Sequence, residues 1–284
     1  MKKVSLVPIL ISLLFVSCAS SGVEKVKPLR CNMELSEKQL SYESYVFIRF
    51  YDAFYDKPLR PGNFLRMPIK LLGKASDGVV YNHSSISTKL SDDSFVSISL
   101  SGNRNMVQYE NVLNLEANEF MSTIDSKKSR CMVIALPCAE SERLAVGALL
   151  DYALSGDSSF KYGIMKTATT GIRHWKNSKA YKRSRNFPIE FAFGPLPVLK
   201  GPEEIFDQKV FVCSNFISFI LKNSIERYRV DFLVNRIDYE GVSPVDLTYL
   251  DGAMILFECG FEDYDRAMKE FVELYPRFRK FIEQ

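Results

Sequence analysis

The chain has few of the side chains from which most active sites and cofactor sites are built. Among 284 residues there are two histidines, His83 and His174, and one tryptophan, Trp175. No Cys-x-x-Cys pair occurs, so neither a zinc site nor a thioredoxin-like site is supported. A phosphate-binding Gly-x-x-x-x-Gly-Lys loop, a dinucleotide fingerprint and a histidine–acid metal cluster are all absent. No cofactor and no metal are therefore expected. There are no repeats and no low-complexity tract. What remains is ordinary globular material, 46% hydrophobic and 25% charged, enough for one sizeable core. The formal net charge is +3; without Lys2 and Lys3 it is +1, which singles out no partner.

Lys2 and Lys3 stand before an apolar run from Val4 to Val16, which leads into Ser17-Cys18-Ala19-Ser20. A basic start, a short apolar stretch and small residues at its end read as a secretory signal, and the stretch is short for a membrane span. Phe15-Val16-Ser17-Cys18 is similar to a bacterial lipobox, with Phe15 where leucine is usual and Leu14 one place earlier. That resemblance implies cleavage before Cys18, lipidation of its thiol, and a chain held at the bacterial cell envelope. The expected organisation is a signal peptide over 1–17, a lipid-anchored tether over 18–40 and one domain over 41–284.

Beyond Cys18 five cysteines remain, an odd number, which leaves at least one thiol free in an oxidising compartment. Cys131 and Cys138 fall in one strand-like run; about 23 Å apart when extended, they are too distant to bridge. Cys31, Cys131, Cys138 and Cys259 read most simply as small buried apolar side chains.

Alternation and turn residues predict strands over 44–50, 79–87, 95–100, 131–137 and 253–257. Helical spacing predicts helices over 140–154, 214–224 and 264–275, with a short helix over 64–72 and a turn or helix over 244–250. Neighbouring strands with a few packed helices make an α+β fold.

The chemistry-bearing residue is Cys213, where the run Lys209-Val210-Phe211-Val212 turns into the helical pattern Ser214-Asn215-Phe216-Ile217. Unpaired N–H groups and the helix dipole at such a start favour a thiolate. A nucleophilic thiol needs an imidazole beside it, and His83 lies in a strand-like segment. On spacing alone the two residues read more simply as a buried helix-start side chain and a structural histidine. Their order, histidine 130 residues before cysteine, is unusual.

Tyr81-Asn82-His83-Ser84-Ser85-Ile86-Ser87 together with Val212-Cys213-Ser214-Asn215-Phe216-Ile217 resembles the circularly permuted papain-like amidases, relatives of the NlpC-type peptidases and of lecithin retinol acyltransferase. The likeness spans roughly residues 44–262 and includes the Tyr162-Gly163 region and Val242-Ser243-Pro244-Val245-Asp246-Leu247. It implies a small antiparallel sheet or half-barrel with packed helices. It also implies a Cys213 nucleophile with His83 as its base, acting on amide or ester bonds of cell-wall peptides or lipids. Such relatives carry a third polar residue on the strand after the histidine. This chain offers Ser97 and Ser99 there, with Glu110 further on, and Glu110 is preferred as the only one with a charge. Asn215 stands where bacterial relatives often have glutamate. The weak third position leaves open a second expectation, a catalytically inactive envelope lipoprotein of the same fold that binds glycan or lipid.

From Ser158 to Ile189 there is no acidic residue, and residues 173–185 are densely basic around Trp175 and Tyr181. This reads either as a solvated loop or as a surface for anionic lipid or glycan beside the membrane. Nucleic acid is not an expected partner of an exported chain.

Overall fold

The computed structural model describes residues 35, 37–52, 81–100, 104–109, 124–154, 161–162, 210–228, 242–248, 250 and 252–282. They form an α+β fold around a six-stranded sheet in the order β4-β3-β2-β1-β5-β8, every pair antiparallel. Its strands are β1 (Ser44–Asp52), β2 (His83–Lys89), β3 (Phe95–Leu100), β4 (Arg104–Tyr109), β5 (Arg130–Cys138) and β8 (Met254–Gly260). Two short segments, β6 (Lys161–Tyr162) and β7 (Val210–Phe211), pair in parallel as a separate ribbon.

The sheet centre is dictated by β1 and β5, Ser-Tyr-Val-Phe-Ile-Arg-Phe-Tyr-Asp and Arg-Cys-Met-Val-Ile-Ala-Leu-Pro-Cys. Both are rich in β-branched and aromatic residues with little polar interruption, as strands covered on both faces require. They pair along their whole length, from Ser44 opposite Cys138 to Asp52 opposite Arg130. The β2–β3 hairpin turns at Ser91–Asp93, where Asp93 takes a positive φ of 65° and the Asp92 carboxylate accepts the Ser94 N–H at 3.0 Å.

Helices α1 (Glu37–Leu40), α2 (Glu140–Leu154), α3 (Cys213–Ser224), α4 (Pro244–Leu247), α5 (Tyr264–Leu274) and α6 (Arg279–Ile282) surround the sheet. The predicted helix over 140–154 is α2, residue for residue. Its start is held by the Glu142 carboxylate, which accepts the Ala139 N–H at 2.9 Å. Pro276 ends the predicted C-terminal helix, as expected of proline, and the chain continues through a 3₁₀ turn at Pro276–Phe278 into α6. The predicted helix over 64–72 lies outside the described residues. Strand β4 carries no clear alternation, and no strand is predicted there. β8 runs three residues past the predicted 257, and β2 begins at His83.

Two cores result, one on each side of the sheet. Val46, Ile48, Phe50, Ile86, Ile98, Ile134 and Leu136 pack under α2 and α3. Tyr45, Phe47, Tyr51, Cys131, Val133 and Cys259 pack under α5, α6 and the 3₁₀ turn, with Tyr264, Phe271, Phe278 and Phe281 as the cover. The period of two along β1 sorts them: even-numbered side chains face α2 and α3, odd-numbered ones the C-terminal helices.

Candidate functional site

Cys213 is the first residue of α3 and is 3% exposed. Val212 before it is extended, and the Asn215 side-chain oxygen accepts the Val212 N–H at 2.8 Å. Asn215 thus makes the backward reach that a glutamate makes in a capping box and fixes the helix start. The next turn is tied down as well: the Ser214 hydroxyl donates to the Val242 carbonyl at 2.6 Å, and the Ser218 hydroxyl to the Ser214 carbonyl at 2.9 Å. Phe216, Ile217, Ile220 and Leu221, on the same helical stripe as Cys213, enter the core beneath α2 and α3.

The helix runs along the sheet with a definite sense. Its far end reaches α2: the Glu226 N–H donates to Glu142 Oε1 at 2.9 Å. Glu142 lies just beyond Cys138 in the chain, and Cys138 pairs with Ser44 at one end of the sheet. Twelve helical residues span about 18 Å, close to the length of a seven-residue strand. Packed along β2, α3 therefore starts at the opposite end, where Tyr51 pairs with His83. Cys213 and His83 share one end of the sheet.

They do not share a face. His83 opposes Tyr51 in the register, and the two rings stack with centroids 5.7 Å apart and planes 27° apart. Tyr51 belongs to the core under the C-terminal helices, whereas α3 lies on the other side. The imidazole Nε2 is hydrogen-bonded to the Ser99 hydroxyl on β3. His83 is 3% exposed. One detail bears on the register: the Asn82 N–H donates to the Tyr51 carbonyl at 2.9 Å, one residue out of step with the Tyr51–His83 pairing. Asn82 lies just before β2, and an odd-residue slip at this point is what would move a side chain from one face to the other.

The polar partner on the strand after His83 is thus Ser99, one of the two serines the sequence offered. Glu110, Cys18, Cys31, His174 and the basic segment 173–185 lie outside the described residues.

Sequence reasoning missed the polar centre on the His83 side. Arg49 in the middle of β1 is fully buried. Its Nε donates to Ser85 Oγ at 3.3 Å, and its Nη2 donates to Ser87 Oγ at 3.1 Å and to Ser97 Oγ. The Ser87 hydroxyl donates in turn to Ser97 Oγ at 3.0 Å, and Tyr264 of α5 also bonds to Arg49. Burial pushes the Tyr264 phenol above its ordinary range. The available signal was a charged residue amid an otherwise apolar strand, with serines at every second position of β2 and β3.

At the same end of the sheet, Arg130 Nη2 lies 2.7 Å from Glu258 Oε1, and the Tyr81 hydroxyl donates to that oxygen at 3.0 Å. Burial, then the Glu258 charge, pushes the Tyr81 phenol up. Among the described residues no three His, Cys, Asp or Glu side chains gather as a metal site, and no helix is long and apolar enough to cross a membrane.

No protein-family model, curated protein or solved structure matches the chain.

Proposed function

We propose that this chain is an envelope lipoprotein, anchored through Cys18, whose permuted papain-like domain binds an anionic envelope surface without using Cys213 and His83 as a catalytic pair. The observation that carries the non-catalytic part is the β1–β2 register, which turns His83 to the sheet face opposite α3. A thiol and an imidazole must come within hydrogen-bond reach for proton transfer. The register puts the imidazole on one face of the sheet and α3 on the other, and both residues are almost fully buried. The binding part rests on the sequence: the lipobox-like Phe15-Val16-Ser17-Cys18 and the acid-free stretch from Ser158 to Ile189.

A second reading has its own support. Cys213 at a helix start, His83 at the same end of the sheet and Ser99 on the next strand match the order of parts in the permuted papain-like amidases. Under that reading Cys213 attacks the carbonyl of an amide or ester, His83 carries the proton to the leaving group and Ser99 orients the imidazole. It requires the start of β2 to shift by one residue so that Asn82 opposes Tyr51, which would bring the imidazole to the α3 side.

Thiol labelling separates the two. The full-length protein in detergent is treated with iodoacetamide from pH 5 to 9, beside His83→Ala and a Cys213→Ser control that assigns the signal. The binding reading expects slow labelling of Cys213 with no response to His83→Ala. Fast labelling well below pH 8, abolished by His83→Ala, would overturn it in favour of the enzyme. In parallel, sedimentation with phosphatidylglycerol-containing vesicles should persist after Cys18→Ser, fall with added salt and fall with Arg173→Gln/Lys176→Gln/Lys179→Gln/Lys182→Gln. Equal sedimentation with neutral vesicles would remove the anionic surface from the proposal.

A further inference from the structure

Four cysteines among the described residues are present as thiols, and two of them face each other. Cys131 on β5 and Cys259 on β8 are direct register partners in adjacent antiparallel strands. Their side chains lie on the same face, and their sulfurs are 3.5 Å apart. Directly opposed residues have Cα atoms about 4.5–5.5 Å apart, inside the window of about 4.4–6.8 Å that a disulfide spans. Bringing the sulfurs to a bond of about 2.05 Å takes side-chain rotation within an existing pairing and no new approach of strands. Cys138, the other cysteine of β5, projects to the other core, under α2 and α3.

We infer that Cys131 and Cys259 are a disulfide-forming pair, closed during folding when the chain reaches an oxidising compartment. The inference uses the export reading for where the bond forms, while the geometry of the pair stands independently of it. The reaction is thiol–disulfide exchange with a disulfide-bearing oxidoreductase or a small-molecule disulfide. The thiolate of one cysteine attacks a sulfur of that oxidant and expels a thiolate. The second cysteine then attacks the mixed disulfide. Two electrons and two protons pass to the oxidant, which leaves as a dithiol or as two thiols. Timing is set by burial. Cys131 is 0% and Cys259 2% exposed beneath Tyr264 and Ala267, and burial holds the Cys131 thiol strongly against ionisation. The exchange therefore precedes the docking of α5 or needs its release. The bond would tie interior strand β5 to its neighbour, edge strand β8, across more than a hundred residues of chain, the situation in which a cross-link removes much unfolded-state freedom.

Two preparations test the bond and the compartment separately. In the first, purified full-length chain is reduced, unfolded in urea and refolded with oxidised and reduced glutathione. It is then alkylated and digested without reductant. A linked Cys131–Cys259 peptide, two hydrogens lighter than its parts, is expected. It should be lost in Cys131→Ala and Cys259→Ala and kept in Cys138→Ser. The oxidised form should also unfold at higher urea than the reduced form. No linked peptide, or scrambled links of equal yield through Cys138 or Cys213, would overturn the pairing. In the second, the protein is taken directly from expressing cells under acid quench. The same peptide there supports oxidation in the cell. Its absence there, with its presence after refolding, sinks the export reading and leaves the pairing intact.

Discussion

The two faces of one sheet are built on different principles. Beneath α2 and α3 the contacts are apolar, aliphatic and aromatic together: Ile48, Phe50, Ile86, Ile98, Ile134 and Leu136 share one core with Leu150, Phe216, Ile217 and Ile220. Two β2 hydroxyls on that side have nowhere to go: Ser84 Oγ and Thr88 Oγ1 are buried with no hydrogen-bond partner. Beneath α5 and α6 the same strands carry Arg49, Ser85, Ser87, Ser97, Ser99 and His83, joined by hydrogen bonds and roofed by aromatic rings. One face is held by burial of apolar area, which tolerates imprecise fit. The other contains a buried charge, which is stable only while its partners are in place. The difference also places the candidate site. Cys213 belongs to the apolar side, His83 to the polar one.

The sharpest way to break the comparison is to remove the charge. Arg49→Ala removes the arginine donor shared by three buried hydroxyls and opens a large void, so a loss of about 3–5 kcal/mol is expected, a large share of a domain's ordinary stability. Arg49→Met fills the void and deletes the charge. It should recover at least half of that loss, because it restores the packing that Arg49→Ala gives up, while Ser87 and Ser97 remain bonded to each other in both. Urea midpoints of the two variants decide this. Equal losses would mean that Arg49 acts through its hydrogen bonds and not through the volume it fills.

A smaller test asks whether the serines behave as a network. Ser97 accepts from both Arg49 and Ser87. Ser97→Ala should cost about 1–3 kcal/mol, the range for orphaning a buried polar partner. A loss below about 0.5 kcal/mol in chemical denaturation would show that the arginine needs only its other contacts.

Alkaline pH probes the apolar face. Burial pushes the Cys138 thiol up to about 12, from an ordinary value near 9.0. The folded-state value is the higher one, so the unfolded chain loses this proton first. The contribution of the neutral thiol is complete below pH 9 and is lost as pH rises toward about 12. At pH 10 the expected cost is on the order of 1 kcal/mol from this group. Cys138→Ala should flatten the fall in urea midpoint between pH 8 and 11 relative to the parent. An unchanged slope would mean that other groups, Tyr81 and Tyr264 among them, carry the alkaline limb.

Legibility in the sequence divides along the same line. Where the pattern is local and apolar, it reads well: α2 from the spacing of Val146, Leu149, Leu150 and Ala153, β1 and β5 from hydrophobic runs interrupted only at Arg49, and the stop at Pro276 from the missing N–H. β4 (Arg-Asn-Met-Val-Gln-Tyr) does not, because its pairing with β3 supplies the order that its own composition lacks. Both residues of the candidate pair are visible, and the end of the sheet at which they lie comes from a strand start and a helix start. The face is not legible. It depends on whether Asn82 or His83 opposes Tyr51, and a single residue of register reverses the answer while leaving every local propensity unchanged. The Cys131–Cys259 contact is hidden for a related reason: 128 positions apart, the two meet only through the pairing of β5 with β8.

The finest test exchanges one hydroxyl for one methyl. Thr88 lies opposite Val96 on the α2–α3 side, is fully buried, and its hydroxyl has no partner. Thr88→Val keeps the branched shape that suits a strand and removes a desolvated polar group. The expected effect is small and of opposite sign to Ser97→Ala: a gain of about 0–1 kcal/mol, read as a rise in urea midpoint at unchanged m-value. The opposite signs are the content of the comparison, since both substitutions delete one buried hydroxyl from neighbouring strands of the same sheet. A loss of about 1 kcal/mol or more in Thr88→Val would mean that this hydroxyl is satisfied and that the α2–α3 face is less purely apolar than its contacts imply.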